Sequence, residues 1–447
     1  MSKSNQIDMT TGPIFLRLLQ FSIPLIFSSI LQLLFNAADV IVVGRFAGDT
    51  SLAAVGSTSS LINLLVNLFM GLSVGTNVIA ARFFGEGNSE QIHNTVHTSI
   101  LVAFISGLIL TVVGVSLAEP ILRLMQAPED VLQLAVLYLR IYFSGITASM
   151  VYNFGSALLR AKGDTRRPLY ILFIAGVINV LLNLFFVIVT KMDVDGVALA
   201  TIISQLFSAV AVVILLLREK DDFHLDLSKL RINKNILKKI IQIGVPAGFQ
   251  GIMFSFSNVI IQSSINSFGA KMIAGNSAAC SLEGFIYTSM NGFSQGSLTF
   301  CSQNLGAHKK DRIKKVVFIS QASIIVIAFI ECFLGLVFHR QLLGIYSSDS
   351  EVIDAGTLRI QIIFCTYFLC GIMDAMANSI RGCGHSLLPA VVTIFGACVL
   401  RIIWLVTFFQ IPQFHTPTVI FLSYPISWLV TYIAHVICFV VIFKKIK

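Results

Sequence analysis

Runs of about 18 or more residues with little or no charge recur along the entire chain, and each is long enough to cross a hydrocarbon core roughly 30 Å thick as a helix. They fall near 18–43, 53–81, 95–118, 133–159, 168–190, 196–217, 241–266, 272–303, 316–338, 355–380, 389–411 and 418–443. Twelve spans are therefore expected. Hydrophobic residues make up 56% of the chain and charged residues 12%, about half the charged share of a soluble domain. The composition is that of an all-α integral membrane protein.

The twelve spans are six read twice. Pro24 and Asn36 return as Pro246 and Asn258; Gly71, Gly75 and Gly85 return as Gly292, Gly296 and Gly306; Arg160, Gly163 and Pro168 return as Arg381, Gly384 and Pro389. An even number of spans per copy makes the repeat parallel, with a pseudo-two-fold axis along the membrane normal. Two homologous six-helix bundles are expected, an N-lobe over 1–222 and a C-lobe over 223–447, joined by a linker at about 218–240 that is too short to be a domain.

Basic residues orient the spans. With the N-terminus in the cytoplasm, twenty-three of the 31 Lys and Arg fall in inside segments and five (Arg45, Arg123, Lys191, Lys271, Arg340) in outside loops. Arg140, Arg359 and Arg401 lie in or beside spans. Both termini are expected to be cytoplasmic, in the inner membrane of the cell. The net charge of +9 is then mainly a topology signal, and a nucleic-acid partner is not required. The N-terminal tail through Gly12 is polar and carries Asp8, so the first span reads as retained, not as a cleaved signal. All eight cysteines lie between Cys280 and Cys438 without a C-x-x-C pair and read as packing residues.

Absences narrow the chemistry. There is no G-x-x-x-x-G-K-[ST], no dinucleotide fingerprint, no H-E-x-x-H and no G-x-S-x-G. No nucleotide, resident metal or other cofactor is expected, and the chain does not read as an enzyme. A carrier driven by an ion gradient, a channel or a lipid-handling protein remains. A channel fits least, since a lone buried carboxylate suits stepwise carriage.

Polar residues inside spans discriminate further, because an ionised carboxylate in hydrocarbon needs partners or water. Four acids lie in spans: Asp39, Glu283, Glu331 and Asp374. Asn36 sits about one turn before Asp39 on the same face, Asn179 and Asn183 share a face of span 5, and span 6 supplies Thr201. One carboxylate, amides and a hydroxyl could hold Na⁺ as an oxygen cage, or seat a titrating Asp. Asn36 has its counterpart in Asn258, but no acid or amide recurs at the second-lobe positions that correspond to Asp39, Asn179, Asn183 and Thr201, where interhelical glue would have been needed equally. Glu283 and Asp374 either line a central cavity that attracts an organic cation, or sit near an interface, or pair with Arg359 or Arg401. Glu331 is expected to snorkel outward. His93 and His97 read as a solvated helix end and His435 as packing. Pro24 and Pro246, early in spans 1 and 7, are candidate hinges.

The runs N-A-A-D-V-I-V-V-G-R at 36–45, L-L-R-A-K-G-D-T-R-R-P at 158–168, G-V-A-L-A-T at 196–201 and C-S-Q-N-L-G-A at 301–307 resemble the multidrug and toxic compound extrusion (MATE) family. The similarity covers essentially the whole chain. It implies a V-shaped inner-membrane antiporter that expels amphipathic and often cationic small molecules while Na⁺ or H⁺ enters; a monomer in membrane lipid is expected. By position, Asp39, Asn179 and Thr201 resemble the family's first-lobe cation site, and Gln32 and Asn153 are similar in placement to residues lining that lobe's cavity. Two departures stand out. Asn183 occupies the place of a frequent aspartate, and span 7 has Phe254 where some relatives carry a glutamate. The expectation is alternating access by rocking lobes, coupled through Asp39. The rival is a flippase for a lipid-linked precursor, which predicts a more basic cavity.

Overall fold

Residues 6–124 and 129–446 are described by a computed structural model, and among them the chain is helical without a strand. The first half comprises α1 (Ile14–Val42), α2 (Asp49–Glu86), α3 (Ser89–Leu124), α4 (Glu129–Ser144), α5 (Ile146–Ala161), α6 (Arg166–Leu184) and α7 (Val194–Arg218). The second comprises α8 (Lys234–Asn266), α9 (Ala270–Gly306), α10 (Lys310–Val337), the short α11 (His339–Gly344), α12 (Ser350–Phe364), α13 (Tyr367–Gly382), α14 (Leu387–Thr393), α15 (Leu400–Val406) and α16 (Pro417–Lys445). A π-helical segment, Ile394–Val399, joins α14 to α15, and two others, Val43–Ala47 and Phe185–Val189, end α1 and α6.

Among the described residues nine helical stretches are long and apolar enough to cross a membrane, and two bent pairs bring the number to eleven. The twelfth expected span is α9. At 37 residues it is ample in length, and its face is more polar than the others, with Asn276, Glu283 and a series of serines buried along it. The two spans expected at 133–159 and 355–380 are not single helices. α4 meets α5 at 46° and α12 meets α13 at 50°. The breaks fall at Gly145 and Thr366, which are repeat-equivalent. At Thr366 the hydroxyl donates to Ile362 O and Ile363 O at 3.0 and 3.2 Å, competing with the helical ladder. The repeat is also legible in the backbone: Gly48 and Gly269 take φ 93° and 88°, and Gly163 and Gly384 take 96° and 87°, all left-handed positions that favour glycine.

The chain resolves into two compact units that exchange helix starts. One contains Phe27–Gly248 with a short N-terminal piece ending at Asp8; the other contains Met9–Ile26 and Phe249–Lys447. The division expected at 222/223 thus separates residues that pack together. Both crossing points lie two residues beyond a proline, Pro24 in α1 and Pro246 in α8, and they are repeat-equivalent. Each proline leaves the carbonyl four residues earlier, Gln20 or Gln242, without its helical donor.

Small residues make the exchange sterically feasible. A side chain at Gly71 would overlap Gly244 O and Gly248 N, so α2 and the start of α8 touch backbone to backbone. In the other unit, a Cβ at Gly296 would lie 2.7 Å from Leu18 Cδ1 and one at Gly292 2.5 Å from Ile26 Cγ1. The first unit's core lies among α2, α3, α4, α5 and α7 around Leu110, Leu122, Leu139 and Phe143. A cluster of the second packs Ile261, Ile265, Leu405, Phe409, Ile420 and Phe421.

The linker is docked firmly onto the first unit. Lys162 meets Glu219 at 2.7 Å and Asp221 at 3.2 Å; Arg167 meets Glu219 at 2.5 Å and also Asp164. His97 is buried, contrary to the expectation of a solvated helix end. Its Nδ1 lies 2.7 Å from His93 O, and its Nε2 accepts Asp226 N–H at 3.1 Å. Hydrogen bonds from Ser228 hold the Asp226 carboxyl down at about 2.

Gly71→Val is expected to lower the thermal midpoint of the detergent-purified protein by several degrees, since the atoms it meets are rigid backbone and overpacking costs about 1–3 kcal/mol. Gly56→Ala, on the same helix with open space around its Cβ position, should leave it unchanged or slightly raised.

Candidate functional site

Helical spacing sets the first element of the site. Gln32, Asn36 and Asp39 are at i, i+4 and i+7 of α1, a single stripe along one face. That stripe lines a cavity of about 250 Å³ within the first unit, together with Asn153 of α5, Asn179 of α6 and Thr201 of α7. Asp39 is the one carboxylate among the lining residues.

A hydrogen-bonded chain crosses three helices. Thr201 Oγ1 accepts from Asn179 Nδ2 at 3.5 Å, Asn179 Oδ1 accepts from Asn183 Nδ2 at 3.3 Å, and Asn183 Nδ2 also donates to Asp39 Oδ1. The same Thr201 hydroxyl donates to Val197 O at 3.0 Å, which fixes its lone pairs toward Asn179. Asn183 is fully buried, and its Oδ1 has no hydrogen-bond partner among the described residues. Asn153, which lines the cavity, donates from Nδ2 to Ser149 O at 2.8 Å.

The oxygens of Asp39, Asn179, Asn183 and Thr201 offer one negative charge and three neutral donors. A hard cation can be held by such a set, and a proton can be held by Asp39 alone. Among the described residues no group of three or more His, Cys, Asp or Glu is placed to hold a metal ion.

Sequence reasoning missed part of the wall. Tyr152, Gln205 and Ser208 also line the cavity, and Tyr152 Oη donates to Pro168 O at 3.1 Å. Thr201, Gln205 and Ser208 repeat the i, i+4, i+7 spacing of α1, so the stripe was readable on α7 as well.

Glu283 and Asp374 do not line this cavity; both belong to the second unit. Glu283 receives Arg359 in a two-pronged pair at 2.6 and 2.7 Å, and Arg359 further donates to Asn276 Oδ1 at 2.9 Å. Of the alternatives for Glu283, pairing with Arg359 is what the geometry contains. Asp374 accepts from Ser294 Oγ at 3.0 Å and Asn378 Nδ2 at 3.5 Å; Asn378 in turn accepts from Arg381, which reaches Gln250. Asp374 is the repeat counterpart of Asn153. Glu331, expected to snorkel, instead accepts from Ser289 Oγ at 2.7 Å. His435 is fully buried, 3.2 Å from Thr393 Oγ1.

Arg401 stands 222 residues after Asn179, the offset of Pro24 and Pro246; at the 221 of Pro168 and Pro389 the counterpart is its neighbour Leu400. Arg401 is 2% exposed, donates from Nε to Ser427 Oγ at 2.7 Å, and lies over the rings of Tyr424 and Trp428 at 4.3 and 5.5 Å.

Glu283→Gln should destabilise the protein by about 3–5 kcal/mol, because it strands a buried guanidinium. The double replacement E283M/R359M should recover most of that loss in thermal unfolding, as removing both charges removes the stranded one.

Comparison with known proteins gives the site its setting. The MatE family model matches twice, at residues 24–185 and 246–407, in register with the internal repeat. A protein described as probable multidrug resistance protein YoeA of Bacillus subtilis (strain 168) is 27% identical over 84% of this chain and 82% of its own. One described as an FAD transporter of Shewanella oneidensis is 26% identical over 83% of each. Among solved structures, an outward-facing multidrug resistance MATE family transporter of the MOP superfamily matches the fold with a TM-score of 0.90, at 20% identity, over 100% of this chain and 99% of that one. With both halves matched and the fold reproduced from end to end, this chain belongs to the MatE family, the multidrug and toxic compound extrusion transporters.

Proposed function

We infer that the protein is a secondary antiporter that exports amphipathic, often cationic, organic molecules in exchange for H⁺ or Na⁺ taken up at Asp39. One observation carries the reading: a single carboxylate in a first-unit cavity, tied by a chain of amides to a hydroxyl two helices away. A lone acid without a basic partner is costly in a membrane protein's interior unless its charge is used.

At about 250 Å³ the cavity falls below the roughly 300–1,000 Å³ of small-molecule sites, so it suits an ion with its water better than a whole drug. Gln32 and Asn153, in the same walls, would meet the polar end of a substrate. Uptake of an ion by Asp39 alters its bond to Asn183 and so the hold of α6 on α1. α1 is lightly packed: 11% of its apolar window is buried, against 28–56% in the other long apolar helices. Bending at Pro24 and Pro246, beside the points where the chain changes unit, would then let the two units rock. Coupling requires the ion and the substrate to favour different states; tight binding of either to both states shifts nothing.

Both termini would be cytoplasmic in the cell membrane, as the basic residues favour, with the chain acting as a monomer and without nucleotide or resident cofactor. The absence of nucleotide and redox motifs in the sequence supports a transporter without enzymatic activity.

The test is ethidium efflux from whole cells and everted vesicles under separately imposed Na⁺ and pH gradients. Wild type is expected to follow one gradient, and Asp39→Asn to lose gradient-driven efflux altogether. An Asp39→Asn protein that still moves ethidium uphill would refute the coupling role; efflux indifferent to both gradients would favour the flippase alternative. Asn183→Asp adds a second carboxylate beside Asp39 and is expected to increase the Na⁺ dependence of efflux, since a hard cation gains an anionic ligand.

A further inference from the structure

The loop between α9 and α10 has a counterpart between α2 and α3, 221 residues earlier, and the two are built differently. In the first copy Gly87 leaves α2 at φ 66°, and Asn88 Oδ1 caps α3 by accepting Gln91 N–H at 3.1 Å. In the second, His308 takes the left-handed position at φ 55° and Lys309 stands where the cap should be, making no capping bond. Asn88, Ser89, Gln91, His93 and Asn94 correspond to Lys309, Lys310, Arg312, Lys314 and Lys315. Only Glu90 has a like-charged counterpart, Asp311. The second copy has given up a cap and placed cations at the positive end of a helix dipole, and both changes disfavour the helix start.

These cations surround a space. Thr10, His308, Lys309, Lys310, Arg312 and Lys315 line an open pocket of about 470 Å³, with Asp311 its one acid. Backbone carbonyls position these cations. Lys309 Nζ donates to Thr10 O at 2.8 Å, Lys310 Nζ donates to Ile446 O, and Arg312 donates to Met9 O and Gly12 O at 3.0 and 2.9 Å, all of them backbone carbonyls. Lys310 and Lys314 converge on the ring of Phe443, at 5.1 and 5.2 Å. The second unit's ion pairs run through Lys271, Arg340 and Arg359; among the described residues no carboxylate pairs with Lys309, Lys310, Lys314 or Lys315.

The pocket also has a defined depth. α10 and α16 are both apolar enough to span a membrane, and the start of one meets the end of the other here, with Lys444 and Lys445 adjoining. The ends of membrane-spanning helices adjoin the lipid headgroups. A topology signal alone needs the charges, but neither a pocket nor an uncapped helix.

We propose that this pocket binds a phosphate oxyanion, supplied by the headgroup of an anionic phospholipid. Several fixed ammonium groups and a guanidinium around one cavity are the complement of such a group, and basic pockets at helix ends beside the headgroup layer recognise it.

The experiment uses the full chain in phosphatidylcholine nanodiscs titrated with fluorescent phosphatidylglycerol, with fluorescent phosphatidylcholine as the comparison and inorganic phosphate in a thermal-shift arm. Phosphatidylglycerol should bind saturably and more tightly than phosphatidylcholine. The K309Q/K310Q/K315Q variant should lose affinity on the order of tenfold or more, each lysine being worth several-fold, while K309R/K310R/K315R keeps it. Stabilisation of wild type, but not of the glutamine variant, by millimolar phosphate without selective lipid binding would support the oxyanion site and assign it a soluble ligand. Equal lipid binding by wild type and the glutamine variant, with phosphate affecting neither, would overturn the proposal. Should the glutamine variant fail to fold, raising salt on wild type decides: loss of phosphatidylglycerol binding alone supports the site, and salt-indifferent binding overturns it.

Discussion

A polar group removed from water must be met by another polar group of the same chain, and the interior of this protein is arranged around that requirement. Glu283 is met by Arg359, Asp374 by Ser294 and Asn378, and Glu331 by Ser289. Among the described residues Asp39 is met by the Asn183 amide, so that Asp39, Asp374 and Glu331 face neutral donors and Glu283 alone of the four faces a cation; of the three, Asp39 is the one that lines the first unit's cavity. A two-pronged ion pair holds α9 to α12, whereas a carboxylate opposed by a neutral donor can exchange its proton or ion without the helices coming apart.

Much of the first unit was readable from spacing. Gln32, Asn36 and Asp39 share a face because a helix repeats every 3.6 residues, and hydrocarbon forces that face inward. The same logic brings Asn179 and Asn183 to meet it. What was not readable follows from the limits of a pattern confined to one helix. Glu283 looked equally suited to a cavity or to Arg359, since the choice depends on how α9 and α12 pack, 76 residues apart in sequence. The bends at Gly145 and Thr366 escaped notice because the apolar run continues through them.

The exchange of helix starts was hidden for a different reason. Sequence similarity divides the chain by ancestry, at the boundary between copies. Packing divides it at Ile26 and Gly248, because the glycines of α2 accept the start of α8 and those of α9 accept the start of α1. Each long helix is therefore shared, and its proline lies close to the change of ownership.

The position of Arg401 has a consequence for the accounting of charge. Near the place that corresponds to Asn179, the second repeat carries a guanidinium bound covalently to the chain and held by Tyr424, Trp428 and Ser427. If the first half takes up and releases a cation at Asp39, the second half carries a charge of that kind as a permanent part of itself. On the proposed reading only one ion is exchanged per turnover, despite two-fold ancestry. Trading one monovalent ion for one monovalent organic cation moves no net charge across the membrane, so such a cycle would run on concentration differences and be insensitive to the membrane potential.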